Sequence, residues 1–284
     1  MSYSISTSNL KQAVKKLNDF KSKALAKEHA RFLFPYLCGT YFTYRKVDIL
    51  RISAISNAIN NHGEKKYVKY LEVGCANGDF LERIREFIPN AKGIERNSDI
   101  FYALGRAKPE YIEIKDVKYG IDGFYDIIFV GWMDPGEDFR DKISESTDLI
   151  ITTLDQGLSL AAEYEGHGFW KLAQWISPSW EDVNIEIANR YYSSLDTSTI
   201  KFLSRMRGAH NLWYIYCKDE KKSKLITQEL KKHLEREKSY NNIIPYEFEP
   251  VLDDCGFRFY ESLEDFETGF KKVLWKVEFS KKCE

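Results

Sequence analysis

From about residue 67 onward, short apolar runs alternate with helical segments, and this alternation is the feature that most constrains the fold. Strand-sized runs that are each followed by an amphipathic stretch predict a mostly parallel sheet with helices on both faces. The strand-sized runs are VKYLEV, AKGIE, YIEI, YDIIFVGW and DLIITTL, with helical segments such as DFLERIREFI and EDFRDKIS between them. The pattern therefore predicts a doubly wound α/β fold.

Two regions lie outside this pattern. A helix that begins after Ser8 and ends or kinks at Pro35, followed by the helix VDILRISAISNAINN, predicts an N-terminal helical cap over residues 1–65. Residues 157–243 lack the βα repeat and are rich in aromatic residues, so we predict an α+β insertion after the fifth strand that covers the substrate. The predicted core comprises residues 66–156 and 244–284.

Composition excludes several classes of protein. The 284 residues are 43% hydrophobic and 30% charged, which is typical of a globular chain. The five cysteines are odd in number and form no CxxC pair, so neither a disulfide framework nor a metal site is predicted. The longest apolar runs are too short to cross a bilayer, and the N-terminus does not read as a signal peptide. We expect a soluble, cytoplasmic protein.

Charge is unevenly distributed, although the net charge is only −1. Residues 1–70 hold 13 Lys and Arg against 4 Asp and Glu, a surplus of 9, whereas residues 71–160 hold 10 against 18, a deficit of 8. The favoured interpretation is a solvated basic segment that packs on an acidic domain. The alternative is a basic arm that meets a phosphate-bearing substrate such as RNA.

The stretch Glu72-Val73-Gly74-Cys75-Ala76-Asn77-Gly78 joins the first predicted strand to its helix. Small residues at a turn of this kind let a ligand contact the backbone, and the helix N-terminus that follows offers N–H groups to an anion. A dinucleotide site has the spacing G-x-G-x-x-G, which differs from the G-x-A-x-G found here. A carboxylate such as Glu72 also repels a pyrophosphate, so the ligand is predicted to carry positive charge.

These residues resemble motif I of the class I S-adenosylmethionine-dependent methyltransferases, with Ala76 in place of the second glycine. The resemblance covers residues 66–156 and 244–280. It implies a Rossmann-like, seven-stranded sheet whose last strand, within VLWKVEF, inserts antiparallel. It also implies an enzyme that transfers a methyl group from S-adenosyl-L-methionine to an O or N acceptor.

The resemblance also implies the residues that bind the cofactor. Glu95, at the end of the second strand, is expected to accept hydrogen bonds from the ribose hydroxyls. Asp116 and Val117, after the third strand, are expected to contact the adenine, and Gly131, after the fourth, lines the methyl-donor cleft. The full predicted set is Glu72, Gly74, Cys75, Ala76, Gly78, Glu95, Asp116, Val117 and Gly131.

Two residues are predicted as catalytic. Asp134 lies in Asp134-Pro135-Gly136-Glu137, which partly resembles the (D/N/S)-P-P-(Y/F) motif of amino-group methyltransferases but lacks its second proline and aromatic residue. His167, between two glycines after the fifth strand, is expected on a loop near the mouth of the sheet as a general base. A turn aspartate and a solvent-facing histidine are the ordinary alternatives.

The substrate is less constrained than the cofactor. A cap over the carboxyl ends of the strands favours a small molecule, whereas the basic N-terminal segment favours RNA. Two further hypotheses are a nicotinamide oxidoreductase, which Glu72 disfavours, and a non-catalytic scaffold that keeps the fold alone. No membrane partner is expected, and the oligomeric state is left open.

Overall fold

The computed structural model describes residues 42–61, 67–99, 101, 107–131, 133, 137–154, 164–179, 182–183, 212–237, 243–246, 249–254, 256–259 and 273–281. The chain divides into two compact units. One unit, which contains most of the sheet, comprises Val47–Trp175, Leu212–Tyr240 and Val277–Glu284. The other comprises Met1–Lys46, Ile176–Asn211 and Asn241–Lys276.

The sheet has eight strands in the order β3-β2-β1-β4-β5-β7-β6-β8. The first five strands pair in parallel, β7 runs antiparallel to β5, and β8 runs antiparallel to β6. The strands are β1 (Tyr70–Val73), β2 (Lys92–Glu95), β3 (Ile112–Ile114), β4 (Ile127–Val130), β5 (Leu149–Leu154), β6 (Trp170–Ile176), β7 (Leu212–Cys217) and β8 (Glu278–Phe279).

The α-helices with defined bounds are α1 (Lys46–Asn61), α2 (Asp79–Arg85), α3 (Arg140–Glu145), α4 (Glu220–Glu237) and α5 (Glu249–Asp254). Two 3-10 helices cover Val117–Tyr119 and Glu165–His167. No helix among the described residues is both long enough and apolar enough to cross a membrane.

The central strands are apolar on both faces, as a covered parallel sheet requires. Every residue of β1 and β4 is buried. On one face, strand residues pack with the 3-10 helices and α3; the buried cluster contains Leu71, Val73, Ile94, Val117, Ile128, Val130, Ile143, Ile150, Tyr164, Phe169 and Tyr216. On the other face, a chain of aromatic rings links Phe80, Phe129, Trp213 and Trp175, whose ring centroids lie 4.8 to 5.9 Å apart at successive contacts.

The predicted fold class is confirmed, but two details of the sheet differ from the prediction. Among the described residues the sheet has eight strands rather than seven, and the antiparallel strand beside β5 is β7 rather than the strand expected within VLWKVEF. The sequence LWYIYC suits an interior position because it is apolar along its whole length. Glu278 of β8 is exposed, which suits the sheet edge that β8 forms beside β6.

Other expectations from the sequence have mixed outcomes. The segment RFYESL was expected to form a strand. In its two described residues there is no strand, since Arg258 lies outside regular structure and Phe259 is helical. Strand β7 and helix α4 belong to the sheet unit, although both fall within the insertion predicted from the sequence. Trp175 is fully buried and stacks on Trp213. The helix predicted after Ser8 and most of the insertion lie outside the described residues.

A buried ionic network joins α1, α4 and β6 within the sheet unit. Arg51 is fully buried, and its Nε and Nη2 atoms each donate to one oxygen of Glu237 at 2.8 Å. Its Nη1 lies 3.4 Å from Asp48 Oδ1, and the same oxygen accepts a 2.8 Å hydrogen bond from the Trp175 indole. Burial of Arg51 opposes its charge, but Glu237 and Asp48 more than offset this and raise its pKa. The network fixes α4 against α1.

The second unit has its own buried arginine, Arg45. Its guanidinium donates to Glu249 at 3.2 Å, to Asp253 at 2.6 Å and to the carbonyl oxygen of Phe257 at 2.6 Å. Its Cζ also lies 5.1 Å from the centroid of the Trp275 ring. These contacts hold α5 and the turn after it to the chain that precedes α1.

Substitution of Glu237 tests the buried network of the sheet unit. Glu237→Gln removes the charge that pairs with Arg51 and is expected to lower the free energy of unfolding by about 3 kcal/mol. Glu235→Gln, on the exposed side of the same helix, is the control and is expected to leave stability unchanged. Urea denaturation measures both. Equal stability of the two variants would show that the network does not hold α4 in place.

Candidate functional site

The strand order reverses direction between β1 and β4, because β2 and β3 extend to one side of β1 and β5 extends beyond β4. Open α/β sheets bind ligands in the crevice at the carboxyl ends of the strands at this point of reversal. The turn after β1 and Gly131 after β4 border this crevice, and the Gly131 N–H donates to Val73 at 2.9 Å. The candidate site is therefore built around β1.

The turn after β1 has a left-handed backbone at alternate positions. The φ angles are 70° at Gly74, 50° at Ala76 and 83° at Gly78. The N–H groups of Gly74 and Cys75 both donate to the carbonyl oxygen of Ile94, at 2.9 and 3.2 Å. This conformation explains the spacing of small residues in the sequence, since residues that carry a Cβ atom are disfavoured at positive φ.

Close approach of neighbouring elements also requires small residues here. A Cβ atom on Gly78 would lie 2.6 Å from Ile112 Cδ1, and one on Gly131 would lie 3.2 Å from the Gly74 carbonyl oxygen. Sequence reasoning missed Gly93, where a Cβ atom would lie 2.7 Å from both Cys75 Sγ and Leu81 Cδ2. The signal was present in the sequence, because a glycine inside a strand often marks a close contact.

Glu95 fixes the turn as well as ending β2. Its Oε2 accepts a hydrogen bond from the Ala76 N–H at 2.8 Å, and its Oε1 accepts from the N–H groups of Arg96 at 2.9 Å and Asn97 at 3.3 Å. The carboxylate is thus held rigidly beside the turn by three backbone donors. The sequence predicted a ligand role for Glu95 but not this structural one.

Glu72 lies on the face of the sheet that carries Phe129, its register partner on β4. Its side chain is buried, with 2% relative exposure, and its Oε2 has no hydrogen-bond partner among the described residues. Its Oε1 lies 3.7 Å from the position of a Cβ on Gly131, so the carboxyl group borders the crevice. Burial, and secondarily the charge of Glu95, raises the pKa of Glu72 well above its usual value.

The other polar residues of the turn serve the turn itself. The thiol of Cys75 is buried, and burial followed by the charges of Glu72 and Glu95 raises its pKa well above the usual value. A reactive cysteine needs the opposite shift, so the geometry gives Cys75 a packing role against Gly93. Asn77 bonds to Asp79, with its Nδ2 donating at 2.6 Å and its Oδ1 accepting from the backbone at 3.2 Å.

Asp116 and Val117 follow β3, which borders β2. Asp116 Oδ1 accepts from the Lys118 N–H at 3.0 Å, and its Oδ2 lies 3.0 Å from Lys118 Nζ. Burial opposes ionisation of Asp116, but its bonds to Lys118 lower its pKa overall. Val117 is buried in the sheet core. Their predicted contact with adenine stays a prediction.

The loop after β4 contributes a further ion pair beside the turn. Arg96, after β2, lies 3.0 Å from Glu137, after β4. Since β1 lies between β2 and β4 in the sheet, this ion pair connects the segments on either side of β1. Asp138 is engaged by Arg140, whose hydrogen bonds lower the pKa of Asp138 to about 2. Asp134, the predicted acceptor contact, lies outside the described residues, as do Trp132, Pro135 and Gly136.

The structure does not bring His167 together with the turn after β1. His167 lies in the 3-10 helix just before β6, where its Nδ1 is 2.9 Å from Asp141 Oδ1. The neighbouring Tyr164 packs on Tyr216, which pairs with Ile150 at the amino end of β5. His167 therefore lies nearer the amino ends of the strands, whereas it was expected at the mouth, where the carboxyl ends of the strands lie. Its predicted role as a base stays a prediction that this placement does not support.

The residues around the turn present carboxyl groups without a metal-binding cluster. Among the described residues, no group of three or more His, Cys, Asp or Glu side chains is arranged to hold a metal ion. What the site offers instead is a left-handed turn, a rigidly held carboxylate and a buried carboxyl group whose Oε2 has no partner among the described residues. This set fits a ligand that carries both hydroxyl groups and positive charge.

Several solved structures of other proteins are similar to the structure of this chain. No protein-family model and no curated protein sequence matches the chain. The plantazolicin methyltransferase BpumL in complex with SAH is 11% identical, with 74% of this chain and 99% of that chain covered at a TM-score of 0.41. A SAM-dependent methyltransferase from Archaeoglobus fulgidus is 14% identical, with 60% and 94% covered at a TM-score of 0.36.

A third similar structure is that of DesVI from Streptomyces venezuelae, which is 11% identical at a TM-score of 0.31. The match covers 38% of this chain and spans half of that protein's length. The strand order and the glycine-rich turn after β1 give the chain the doubly wound α/β fold predicted from its sequence.

Two glycines with nearly the same φ angle test the packing of the turn. Gly123, with a φ of 86°, has open space where a Cβ atom would lie, and Gly123→Ala is expected to lower the free energy of unfolding by about 1 kcal/mol. Gly78→Ala is expected to cost about 1 kcal/mol more, because the added methyl group meets Ile112. Thermal denaturation compares the two variants. An equal loss in both would contradict the close approach at Gly78.

Proposed function

We propose that the chain is an S-adenosyl-L-methionine-dependent methyltransferase that acts on an O or N atom of a small molecule. The observation that carries the proposal is the pairing of a left-handed G-x-A-x-G turn with Glu95, whose carboxylate is bonded to the Ala76 N–H. The turn lies at the reversal of strand order, where sheets of this kind bind ligands.

The residues present fit this cofactor. Gly74 and Gly131 leave room at the backbone, where a Cβ on Gly131 would meet the Gly74 carbonyl oxygen at 3.2 Å. Glu95 is held in place to accept hydrogen bonds from vicinal hydroxyl groups, and Glu72 offers a carboxyl group to a positive charge. The bound cofactor supplies a methyl group that its sulfonium already activates. The chain's task is then mainly to align donor and acceptor and to exclude water.

The substrate class is the finer part of the proposal. A small molecule is favoured by the aromatic-rich sequence of residues 157–243, which we propose covers the substrate together with the N-terminal helices. RNA is the alternative, supported by the surplus of 9 positive charges in residues 1–70. Transfer of a labelled methyl group into small-molecule extract or into RNA separates the two. We propose Asp134 as a contact to the acceptor atom.

Isothermal titration calorimetry with S-adenosylmethionine and S-adenosylhomocysteine tests the proposed function, with NADH as the control ligand. Saturable binding of both adenosyl compounds and none of NADH is the expected result. Binding of NADH alone would replace the proposal with an oxidoreductase. Binding of none of the three would favour a scaffold that keeps only the fold.

Glu95→Gln tests the residue on which the proposal rests. The variant keeps the size of the side chain but loses the charge that strengthens hydrogen bonds from hydroxyl groups, so affinity for S-adenosylmethionine is expected to fall at least about tenfold. Glu113→Gln, on the exposed side of β3, is the matched control and is expected to bind as the unsubstituted protein does. Unchanged affinity in Glu95→Gln would remove Glu95 from the binding site.

A further inference from the structure

The carboxyl group of Glu72 is a buried acid without a counter-charge. Its Oε2 is inaccessible to solvent and has no hydrogen-bond partner among the described residues. In an ionised carboxylate at this position, Oε2 would reach neither water nor a donor among the described residues, which carries a free-energy cost in a protein interior. A protonated carboxyl group avoids most of this cost, because it carries no net charge.

The groups around Glu72 favour the protonated form as well. The titratable neighbours are Tyr70 on β1, Cys75 in the turn and Glu95 at the end of β2. On the other side, the facing residues of β4 are Phe129 and Gly131, neither of which is charged. In the described part of the chain, the charge that acts on Glu72 is that of Glu95, which has the same sign. Repulsion between like charges opposes ionisation.

We infer that Glu72 holds a proton in the ligand-free protein and releases it to the solvent when a cationic ligand enters the crevice between β1 and β4. This inference rests on the proposed function, in which the ligand is S-adenosylmethionine. The O–H bond of the Glu72 carboxyl group breaks, the proton passes to the buffer, and the carboxylate remains paired with the positive charge of the ligand. No oxidant or reductant takes part.

The inference gives Glu72 a role in selecting the donor over the product. S-adenosylmethionine carries a sulfonium charge, and S-adenosylhomocysteine, the neutral thioether that remains after transfer, lacks it. Less positive charge beside Glu72 favours return of the proton to the carboxyl group. Proton uptake therefore accompanies loss of the methyl group, and it weakens the hold of the site on the product relative to the donor.

Calorimetry of the full chain in buffers of low and high ionisation enthalpy measures the proton release. At pH values below the raised pKa of Glu72, the unsubstituted protein is expected to release up to one proton per S-adenosylmethionine, and fewer per S-adenosylhomocysteine. Affinity for S-adenosylmethionine is expected to rise by up to about tenfold per pH unit, because a proton leaves on binding. The affinity is expected to depend on pH in this way at pH values between the ordinary glutamate pKa and the raised pKa of Glu72 in the folded protein.

Glu72→Gln has nearly the shape of the protonated acid and cannot release a proton. It is expected to bind S-adenosylmethionine without proton release and without the pH dependence, and to lose the preference for donor over product. Glu86→Gln, an exposed acid after α2, is the matched control and is expected to keep the release. Binding without proton release in the unsubstituted protein, or release that persists in Glu72→Gln, would overturn the inference.

A measurement without ligand separates this inference from the proposed function. In carboxyl-labelled protein, ¹³C NMR is expected to show one glutamate signal that titrates well above the others and is absent from Glu72→Gln. An ordinary titration midpoint for Glu72 would refute the inference even if adenosyl ligands bind. A raised midpoint in a protein that binds neither adenosyl compound would support the proton on Glu72 while removing the proposed methyltransferase activity.

Discussion

The carbonyl oxygen of Ile94 accepts hydrogen bonds from two successive N–H groups of the turn after β1, and the geometry of the candidate site follows from this contact. It draws the turn onto the end of β2, which directs Cys75 into the space left by Gly93. It also brings the Ala76 N–H to Glu95, so the acid that ends β2 becomes part of the same unit. A larger residue at Gly93 would separate these elements.

The sequence predicted the parts of the structure that depend on neighbours along the chain. Alternating runs predicted β1 to β5, and the small residues after β1 predicted a turn that leaves its backbone open to a ligand. The position of β7 was not predictable in this way, because its pairing with β5 joins residues about sixty positions apart, such as Thr153 and Trp213. The position of His167 was not predictable for the same reason. It was expected at the carboxyl ends of the strands, but its location depends on β6, the strand that it precedes.

Two buried ionisable residues of the sheet unit have opposite electrostatic surroundings. Arg51 is surrounded by Glu237, Asp48 and the face of Trp175, so its charge is compensated by partners from other elements. Glu72 is equally buried but faces another acid. Stability alone gives no reason to bury an acid in that way, since an amide or apolar residue would avoid the cost. The contrast supports the binding role that we propose for Glu72.

The position of β7 has a consequence for synthesis of the protein. Strand β5 ends at Leu154, whereas its antiparallel partner is complete only at Cys217. At ribosomal rates of roughly 5–20 residues per second, the 217 − 154 = 63 intervening residues take about 3 to 13 s to emerge. During that interval the β5 edge, with the apolar run LIITTL, has no strand to pair with. The nascent chain therefore passes through a period in which chaperone binding competes with aggregation.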